Sequence, residues 1–561
     1  MSIYQGGQIH VQDNIISVPA AEIPFKYGIG RETFDKLQKY QNEIAQVSYT
    51  YNQTFFISGK IDASAGEVDP YKSYFLRCVR TAITMRKKGI KENDIITVCS
   101  NQQLNTIIPT IASFFLGVIP SSIDPSFTLK DSTYLLRQVS PKMIFVSTDA
   151  VGLIENTLEQ LKITPEVVVF GATERHTPFS DFLIESVEEQ DFQPIDITDL
   201  KQTAVIHFSS GTTSFPKAVC INHLSVYGLL GFKVDNQKNM PIFFASPTYW
   251  ISFTILNLML IFNNHSRLII PRFAVDDFWG MVEKYEVTSA VLSRTQIAGL
   301  LEAPDPRKYN LSSLKLIISG GTALLKEQIM KMRTLLPNTI VLCAYGATEL
   351  SGNGLAFDPS NPNDLKLALK NVTSCGLPKP GLAYKIHDID TGKALGPNKL
   401  GELRVQTEYA MNGYYNMDSS NLYDADGFLK TGDIAYYDED YCFYIVDRIR
   451  EVFKYQNWQV SPSKIQTVLL DHPAVQNAVV IGVPHPIDGE RPTALVVLHQ
   501  DHVGKVTESD IVNFVDGQVV DSHRLRGGVI FVKKLLKTPT DKFKNCYMRQ
   551  LVIDNKIHEL Q

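Results

Sequence analysis

The sequence predicts an α/β fold, with a large N-terminal domain of mixed, largely parallel sheets flanked by helices, a small β subdomain, and a small α+β C-terminal domain. From about Asp94, short β-branched runs alternate with turns and helical patterns, which is typical of parallel sheets covered by helices. Near residue 380 the pattern changes to the alternation of exposed antiparallel strands. A compact unit begins after Asp447, so we expect domains at 1–447 and 448–561.

The strands of the large domain are predicted where a short apolar run is bounded by turn residues. Helical patterns lie between several of them, at Asp276–Tyr285 and Leu324–Leu336. The predicted strands are Ile95–Val98, Met143–Val146, Val167–Phe170, Ala204–Phe208, Ile242–Ala245, Leu268–Ile270, Ala290–Leu292, Leu316–Ile318 and Ile340–Ala344.

Two longer apolar stretches, Ile107–Pro120 and Trp250–Phe262, are predicted to be buried helices. Both are shorter than the ~18–20 residues that a membrane span needs, and polar residues or proline interrupt both. We therefore expect no transmembrane segment.

The end of the chain predicts two further groups of elements. Tyr384–His387 and Glu402–Val405 alternate as antiparallel strands, separated by turn residues. In the C-terminal domain Ser461 is predicted to cap a helix at Pro462–Leu470, because Pro462 suits the first helical position. The elements predicted after it are strands Val479–Val483 and Leu495–Leu498, helix Ser509–Val519 and strand Val529–Val532.

Composition excludes several classes of protein. The 561 residues are 44% hydrophobic and 20% charged, with net charge −5, which is ordinary for a globular protein and lacks the basic surface of a nucleic-acid-binding protein. The seven cysteines are scattered and never spaced as C-x-x-C, so we expect reduced, mostly buried thiols in an intracellular protein. The N-terminus lacks a secretory signal and the C-terminus lacks a Ser-Lys-Leu-type signal, which favours the cytosol.

The sharpest local motif is the hydroxyl-rich segment Ile206–Lys217, which follows a predicted strand. Its hydroxyls and backbone N–H groups form the kind of concavity that binds anions, although a surface turn has a similar composition. It is not the P-loop of nucleotide hydrolases, because Pro216 stands at the position of the second glycine and Ala218 follows the lysine. The candidate phosphate-binding residues are Ser209, Ser210, Gly211, Thr212, Thr213 and Lys217.

This segment and five later ones, in order and spacing, resemble the motifs of the adenylate-forming superfamily, which includes acyl-CoA synthetases, peptide-synthetase adenylation domains and beetle luciferases. The similarity extends from Pro24 to Gln550 and is greatest to insect luciferase-like and 4-coumarate-ligase-like acyl-CoA synthetases. The later segments are Ser319-Gly-Gly-Thr322, Ala344-Tyr-Gly-Ala-Thr-Glu349, Lys430-Thr-Gly-Asp433, Arg448–Pro462 and Lys537–Lys542.

The resemblance implies an AMP-binding domain at residues 1–447 and the roles of several side chains. Tyr345 would stack on adenine, Thr348 would contact the α-phosphate, and Glu349 would hold Mg²⁺. Asp433 would accept both ribose hydroxyls, with Arg448 as a second contact on the ribose side. The same comparison places the loop residues Gly320, Gly321, Thr322 and Gly346 against the adenine or the acyl pocket.

The resemblance also implies that residues 448–561 form a mobile lid that pivots at Arg450. Lys542 would bridge the carboxylate and phosphate oxygens during adenylation. Lys454 would enter the site in a second orientation of the lid, in which the thiol attacks.

The acid pocket is implied by the segment Ser246–Ser252, which aligns with the aromatic acyl-pocket motif of the family. Its candidate residues are Tyr249, Trp250 and Ser252. Trp250 is interpreted either as the gate of a hydrocarbon tunnel or as part of the core. The apolar Ile251–Phe262 helix suits an aliphatic or aromatic acid.

The resemblance therefore implies an acyl-CoA synthetase that uses ATP, Mg²⁺ and CoA to activate a carboxylic acid, with a fatty acid favoured. A luciferase-type monooxygenase and a non-catalytic nucleotide- or acyl-binding relative are the alternatives, and a peroxisomal location stays open. Four usual glycines of the motifs are replaced, which leaves catalytic efficiency open: Ser214, Ala218, Asn457 and Asp541.

Overall fold

The computed structural model describes residues 8–48, 67–209, 216–230, 241–270, 273–352, 354–449, 451–456, 458–537 and 543–561. Its first part, to residue 230, contains all strands of one sheet, four strands that join two other sheets, and the helices α1 to α6. The helices are α1 (Ile29–Lys39), α2 (Tyr71–Lys87), α3 (Ile108–Phe115), α4 (Leu129–Val139), α5 (Val151–Leu161) and α6 (His223–Leu230). The strands are β1 (His10–Gln12), β2 (Ile15–Val18), β3 (Ile44–Ser48), β4 (Glu67–Pro70), β5 (Ile95–Cys99), β6 (Ile119–Ile123), β7 (Met143–Ser147), β8 (Glu166–Phe170), β9 (Thr177–Pro178), β10 (Thr203–Phe208) and β11 (Ala218–Asn222).

The first sheet has the order β11-β10-β6-β5-β7-β8-β9. Its pairs are parallel except for the hairpin β10–β11, in which Phe208 lies opposite Ala218. Every residue of β5, β6 and β7 is buried, as expected for parallel strands covered on both faces. The candidate phosphate loop is therefore the connection at the end of this hairpin.

The second sheet has the order β16-β15-β14-β12-β13-β3-β4 and is parallel except for β3–β4. Its further elements are β12 (Pro241–Phe244), α7 (Ile251–Asn263), β13 (Ser266–Ile269), α8 (Val275–Lys284), β14 (Ser289–Leu292), α9 (Arg294–Glu302), β15 (Leu316–Ser319), α10 (Lys326–Leu335) and β16 (Ile340–Cys343). They are followed by β17 (Tyr345–Gly346), β18 (Gly354–Ala356), α11 (Pro362–Lys370) and β19 (Leu377–Pro378), whose strands form a small sheet in that order.

An antiparallel β subdomain completes the large domain. Its strands are β20 (Leu382–His387), β21 (Ala394–Leu395), β22 (Gly401–Thr407), β23 (Leu429–Tyr437) and β24 (Phe443–Arg448), which join β1 and β2 from the start of the chain. The pairing of β23 with β24 places Asp433 opposite Arg448, although the two are 15 positions apart in the chain.

The C-terminal region is a mixed sheet with the order β26-β25-β28-β27, with β29 beside β28. Its elements are β25 (Phe453–Tyr455), β26 (Trp458–Val460), α12 (Pro462–Leu470), β27 (Val475–His485), β28 (Gly489–Leu498), α13 (Glu508–Asp516), β29 (Val529–Phe531) and α14 (Asn545–Ile553). β27 and β28 are longer than the sequence predicts, because they pair along their whole length, whereas β29 is one residue shorter than the predicted Val529–Val532.

The start of α12 corrects the sequence interpretation. Ser461 lies at the N-cap position, but its side chain accepts no hydrogen bond from a backbone N–H of the helix. Its hydroxyl instead donates to Asp447 Oδ2 at 2.8 Å, and the Ser463 N–H donates to the same oxygen at 3.2 Å. Asp447 therefore caps α12 from the neighbouring strand β24.

Burial follows the predicted pattern. The stretch Ile107–Pro120 contains α3, which is entirely buried, but its last two residues already belong to strand β6. The stretch Trp250–Phe262 contains all of α7 except its last residue, Asn263. Six of the seven cysteines are buried and Cys546 is exposed. In the part of the chain that the structure describes, no helix has the length and apolar character needed to cross a membrane.

Candidate functional site

A cavity of about 930 Å³ opens where β14, β15 and β16 end. The carboxyl ends of parallel strands are the usual place for ligands in α/β folds. Ser293, Gly320 and Ala344, which directly follow these three strands, all line it. The cavity has a polar end toward the β subdomain and an apolar end beneath α7.

The polar end is organised by Asp433, which is only 3% exposed. Tyr345 Oη donates to Asp433 Oδ2 at 2.6 Å, and Arg448 Nε donates to Oδ1 at 2.6 Å. Burial of the phenol and the nearby carboxylate hold the pKa of Tyr345 well above its ordinary value, so it stays a hydrogen-bond donor. Burial opposes the charge of Arg448, but Asp433, Tyr345, Glu349 and Glu451 together outweigh burial and raise the pKa of the guanidinium.

Glu349 lies near the phosphate-loop hairpin. Tyr414 Oη donates to Glu349 Oε1 at 3.1 Å, and Lys217 Nζ lies 4.6 Å from the centre of the Tyr414 ring. One phenol thus links the carboxylate to the ammonium group. Glu349, Lys217 and Tyr414 all line the cavity.

The two ends of the phosphate loop are joined to each other. The Ser209 N–H donates to the Lys217 carbonyl at 2.9 Å, and the Lys217 N–H donates to Ser209 Oγ at 3.1 Å. These bonds continue the β10–β11 ladder and hold the base of the loop at the cavity wall. The predicted residues Ser210, Gly211, Thr212 and Thr213, with Ser214, lie outside the described residues.

Two glycines have conformational reasons for their positions. A Cβ at Gly346 would lie 2.5 Å from the carbonyl oxygen of Gly352, which no larger residue tolerates without movement of the backbone. Gly321 has φ +83°, in the left-handed region that glycine adopts without strain. Both line the cavity, so the chain passes close to the space a ligand would fill.

The apolar end is bounded by α7 and the residues before it. Tyr249 is 2% exposed, and its ring stacks on Phe208 with 6.2 Å between centroids. Trp250 lines the cavity and also packs on a buried cluster. One part of its side chain therefore fits the predicted gate of a tunnel, and another part fits the predicted place in the core. Ser252 Oγ donates to Ser246 Oγ at 3.0 Å beside it.

The structure brings most of the described candidates together. Those that line the cavity are Ser209, Lys217, Gly320, Gly321, Tyr345, Gly346, Thr348, Glu349, Arg448, Tyr249, Trp250 and Ser252. Asp433 lies directly behind Tyr345 and Arg448. Thr322 and Lys454 are both exposed, and neither is among the lining residues. Arg450, Asn457, Asp541 and Lys542 lie outside the described residues.

Two polar residues, Tyr414 and Lys379, are among the lining residues that were not predicted from the sequence. Tyr414 follows Asn412-Gly413 in a loop and carries no motif, and only its contact with Glu349 identifies it. Lys379 lies just past β19 and lines the cavity. Burial lowers the pKa of Lys379 to about 8, although Asp358 partly opposes this. A lysine between two prolines in a loop gives no sequence signal of burial.

The described residues fit a magnesium ion that is held largely by phosphates. They include no cluster of three or more His, Cys, Asp or Glu side chains that would hold a metal. Mg²⁺ commonly takes one or two carboxylates and completes its shell with substrate phosphates and water. The single carboxylate of Glu349, near the phosphate loop, matches that requirement.

Comparison with known proteins identifies two matching family models. The model described as AMP-binding enzyme matches residues 52–415, and the model described as AMP-binding enzyme C-terminal domain matches residues 464–542.

Similar proteins have more than one activity. A luciferin 4-monooxygenase of Photinus pyralis is 31% identical and covers 97% of this chain and 98% of its own. A probable 4-coumarate–CoA ligase 1 of Dictyostelium discoideum is 30% identical over 84% of this chain and 88% of its own.

Solved structures have the same fold. The luciferase-like enzyme of the nonluminescent Zophobas morio mealworm is 33% identical, with a TM-score of 0.71, and covers 78% of this chain and 100% of its own. ATP-bound MatB from Rhodopseudomonas palustris has a TM-score of 0.80 over 95% of this chain and 100% of its own, at 21% identity. These similarities confirm the predicted α/β fold and the predicted resemblance.

Proposed function

The chain belongs to the AMP-binding enzyme family of adenylate-forming proteins, and from this premise we propose that it is an AMP-forming acid–thiol ligase. It would join a carboxylic acid to ATP, release pyrophosphate, and transfer the acyl group from the adenylate to coenzyme A. One observation carries the proposal: a single cavity joins the polar end, which Asp433 organises, to the apolar end beneath α7, called the apolar arm below.

The polar end suits the nucleoside. We propose that Tyr345 stacks on adenine while its hydroxyl stays bound to Asp433, and that the remaining acceptor capacity of Asp433 receives the ribose hydroxyls. Arg448 Nε lies 2.6 Å from Asp433 Oδ1 and fixes this carboxylate, so the ribose meets a preorganised acceptor. The phosphates would then point toward Lys217 and the loop it closes.

In the first step a carboxylate oxygen attacks the α-phosphorus, a new P–O bond forms, and the bond to pyrophosphate breaks. Thr348 and the amides of the phosphate loop would donate to the phosphate oxygens as charge develops, because preorganised donors are worth most in a cavity that excludes water. Magnesium, held by Glu349 and the phosphates, would neutralise charge on the leaving group.

In the second step the thiolate sulfur attacks the acyl carbon, the bond to AMP breaks, and AMP leaves. We propose that residues 448–561 act as the lid and present a different face for each step. The exposed position of Lys454 fits a residue that enters the site only in the second orientation.

The proposal is tested by ATP–pyrophosphate exchange with a panel of aliphatic and aromatic acids, followed by thioester formation with CoA. Acid-dependent exchange and CoA-dependent AMP release are the expected results. ATP binding without exchange for any acid would instead support a non-catalytic relative.

The second candidate is a luciferase-type monooxygenase, which the similarity to luciferin 4-monooxygenases favours. Light emission with luciferin, ATP and oxygen would support it. Exchange with other acids in the absence of light supports the ligase.

The lid lysines provide a separate test. Lys542→Ala is expected to lower adenylation by about 10²–10³, which is the usual cost of removing one preorganised donor. Thioester formation from a pre-made acyl-adenylate should be kept in this variant and lost in Lys454→Ala. Equal loss of both steps in both variants would contradict the two-orientation model.

A further inference from the structure

The apolar arm of the cavity follows α7 for most of its length. The lining residues of this helix are Ile251, Ser252, Ile255, Leu256, Met259 and Leu260. They recur at intervals of four, so they form one continuous stripe on a single face of the helix. Phe253, Asn257 and Ile261 lie between them and are buried on the other side. The arm therefore extends about 13 Å from Ile251 to Leu260, at 1.5 Å per residue.

The opposite wall of the arm is the second sheet. The arm runs along strand β14 from one end to the other. All four residues of β14, Ser289–Leu292, line the cavity. Leu292 is the last residue of β14 and lies near the mouth of the cavity, where Ser293 follows β14 and Gly320 follows β15. Ser289 begins the strand, and His265, just before β13, lines the same deep end. Two residues with polar side chains, His265 and Ser289, therefore line the floor of an otherwise apolar arm, and the ring nitrogens of His265 are themselves buried.

A buried cation stands behind this floor. In the sheet register Ser289 lies beside Ile242, and Ile242 lies beside Arg267. Neighbouring strands are only about 4.8 Å apart, so the Arg267 backbone is one strand from the cavity wall. Arg267 is 2% exposed, and its Nη1 donates to Asn257 Oδ1 at 2.6 Å. Its Nε and Nη2 donate to no acceptor among the residues that the structure describes.

The charges around Arg267 do not balance. Among the residues that the structure describes, its charged neighbours are Arg77 and Asp69, which pair with each other, so this part of the cluster holds two guanidinium groups and one carboxylate. Gln46 lies beside Arg267 in the sheet register. Its Nε2 donates to Oδ2 of Asp69, the carboxylate of this cluster, at 2.7 Å. A buried cation without its own carboxylate is costly, and a ligand oxygen at the floor would lower that cost.

We propose that this enzyme selects acids of medium length that carry a second oxygen function at the end far from the reacting carboxylate. His265 and Ser289 would bind that oxygen, in the positive field of Arg267. The inference rests on the proposed ligase function and specifies its substrate. Hydroxyl and carboxylate termini share the required acceptor chemistry, and the experiment separates them.

The length of the arm sets the size of the acid. A zigzag chain with carbon–carbon bonds of about 1.5 Å advances about 1.3 Å per carbon. An arm of about 13 Å therefore takes about ten carbons. Decanoic acid, 10-hydroxydecanoic acid and decanedioic acid are matched probes, because they differ only at the far end.

The test is kcat/KM for each of the three acids in ATP–pyrophosphate exchange by the full-length protein. We expect the oxygenated acids to exceed decanoic acid by about 10–100-fold, because a buried polar floor disfavours an alkyl terminus. A further excess of the diacid over the hydroxy acid would assign the selection to the charge of Arg267, and equal use of the two would assign it to hydrogen bonding. Equal or better use of decanoic acid overturns the inference and leaves the ligase function standing.

Variants of the floor identify the residues. His265→Leu should reduce the preference to within about threefold by lowering activity on the oxygenated acids alone, and His265→Gln should retain part of it. Ser289→Ala tests the floor with a smaller change if His265→Leu does not fold.

His387→Leu, on β20 and away from the cavity lining, is the control and should keep the preference. An equal loss of kcat/KM for all three acids in both floor variants would assign these residues a structural role and contradict the proposal. Absence of exchange by the unmodified protein with every acid of the broad panel would instead overturn the ligase function itself.

Discussion

At the scale of single residues, the polar end of the cavity depends on one carboxylate. Asp433 is buried, bonded to a phenol at 2.6 Å and to a guanidinium at 2.6 Å. A buried ion pair is weak evidence for stability, but removal of one partner leaves the other charge uncompensated. The position of Asp433 is therefore best explained by what it holds in place, which is Tyr345 and Arg448.

The first prediction concerns that carboxylate. Asp433→Asn keeps the shape but removes the charge, so a charge-assisted bond worth about 1.5–3 kcal/mol is lost. We expect KM for ATP in pyrophosphate exchange to rise about 10–100-fold. The control is Asp426→Asn, because Asp426 is also ion-paired, to Lys385 in the same β subdomain, yet lies outside the cavity lining. An equal rise in the control would contradict a nucleotide-binding role.

The second prediction concerns Lys379, whose pKa burial lowers to about 8. A charged lysine is disfavoured in the fold, so between about pH 8 and the ordinary pKa near 10.5 the unfolded chain binds more protons and stability rises with pH. Lys379→Met should stabilise the protein by about 1–3 kcal/mol at pH 7, and the difference should shrink as pH rises to 10. Urea unfolding of both proteins across this range measures it, with the exposed Lys315→Met as control. A difference that does not change with pH would be inconsistent with the burial cost.

At the scale of elements, the two domains are joined by a helix cap. Asp447 belongs to β24 of the large domain and accepts bonds from Ser461 and Ser463 at the start of α12. The bonded residues are as many as 16 positions apart, so local sequence preference alone does not specify the contact.

The third prediction follows from this cap. Asp447→Ala should destabilise the protein by about 1 kcal/mol, the typical cost of a lost N-cap. Ser461→Ala should cost less, because its hydroxyl donates to Asp447 and accepts no backbone N–H of the helix. Chemical denaturation of both variants distinguishes the two residues. The reverse order would restore Ser461 as the cap.

At the scale of the whole molecule, the buried clusters fall on either side of residue 448. The clusters of the C-terminal region contain residues from Phe453 onward, and the other clusters contain residues up to Ile445. The division into domains at 1–447 and 448–561 stays a prediction, which the following variants test.

The fourth prediction is that the two regions unfold separately. Leu469→Ala, in the C-terminal cluster, should lower the free energy of unfolding of that region by about 2–5 kcal/mol. In calorimetry one transition should therefore move to lower temperature while the other stays in place. Leu300→Ala, equally buried in the large domain, should do the opposite. A single transition that both variants shift together would contradict independent units.

Much of the fold was predictable from the sequence. The strands at Met143–Ser147, Glu166–Phe170 and Leu316–Ser319 follow from short apolar runs between turns, because a buried parallel strand has few other compositions. The helix at Pro462–Leu470 has its predicted bounds, but the prediction of its cap was wrong, since the carboxylate that serves α12 comes from another domain.

The candidate site was predictable only where a motif preserves spacing along the chain. The motif residues Gly320, Tyr345 and Glu349 line one cavity as expected, whereas Tyr414 and Lys379 belong to no motif and are recognised only by what they contact. Roles assigned to Lys542 and to the centre of the phosphate loop remain predictions.

The sequence by itself determined the α/β class, the position of most strands and helices, and the family resemblance, because these depend on local periodicity and on motifs that are read along the chain. The tertiary structure alone decided that Asp433 lies between Tyr345 and Arg448, that Asp447 caps α12, and that the floor of the apolar arm is polar. The physical reason is that these contacts join residues from separate elements through sheet register and packing, and local sequence preferences do not specify either.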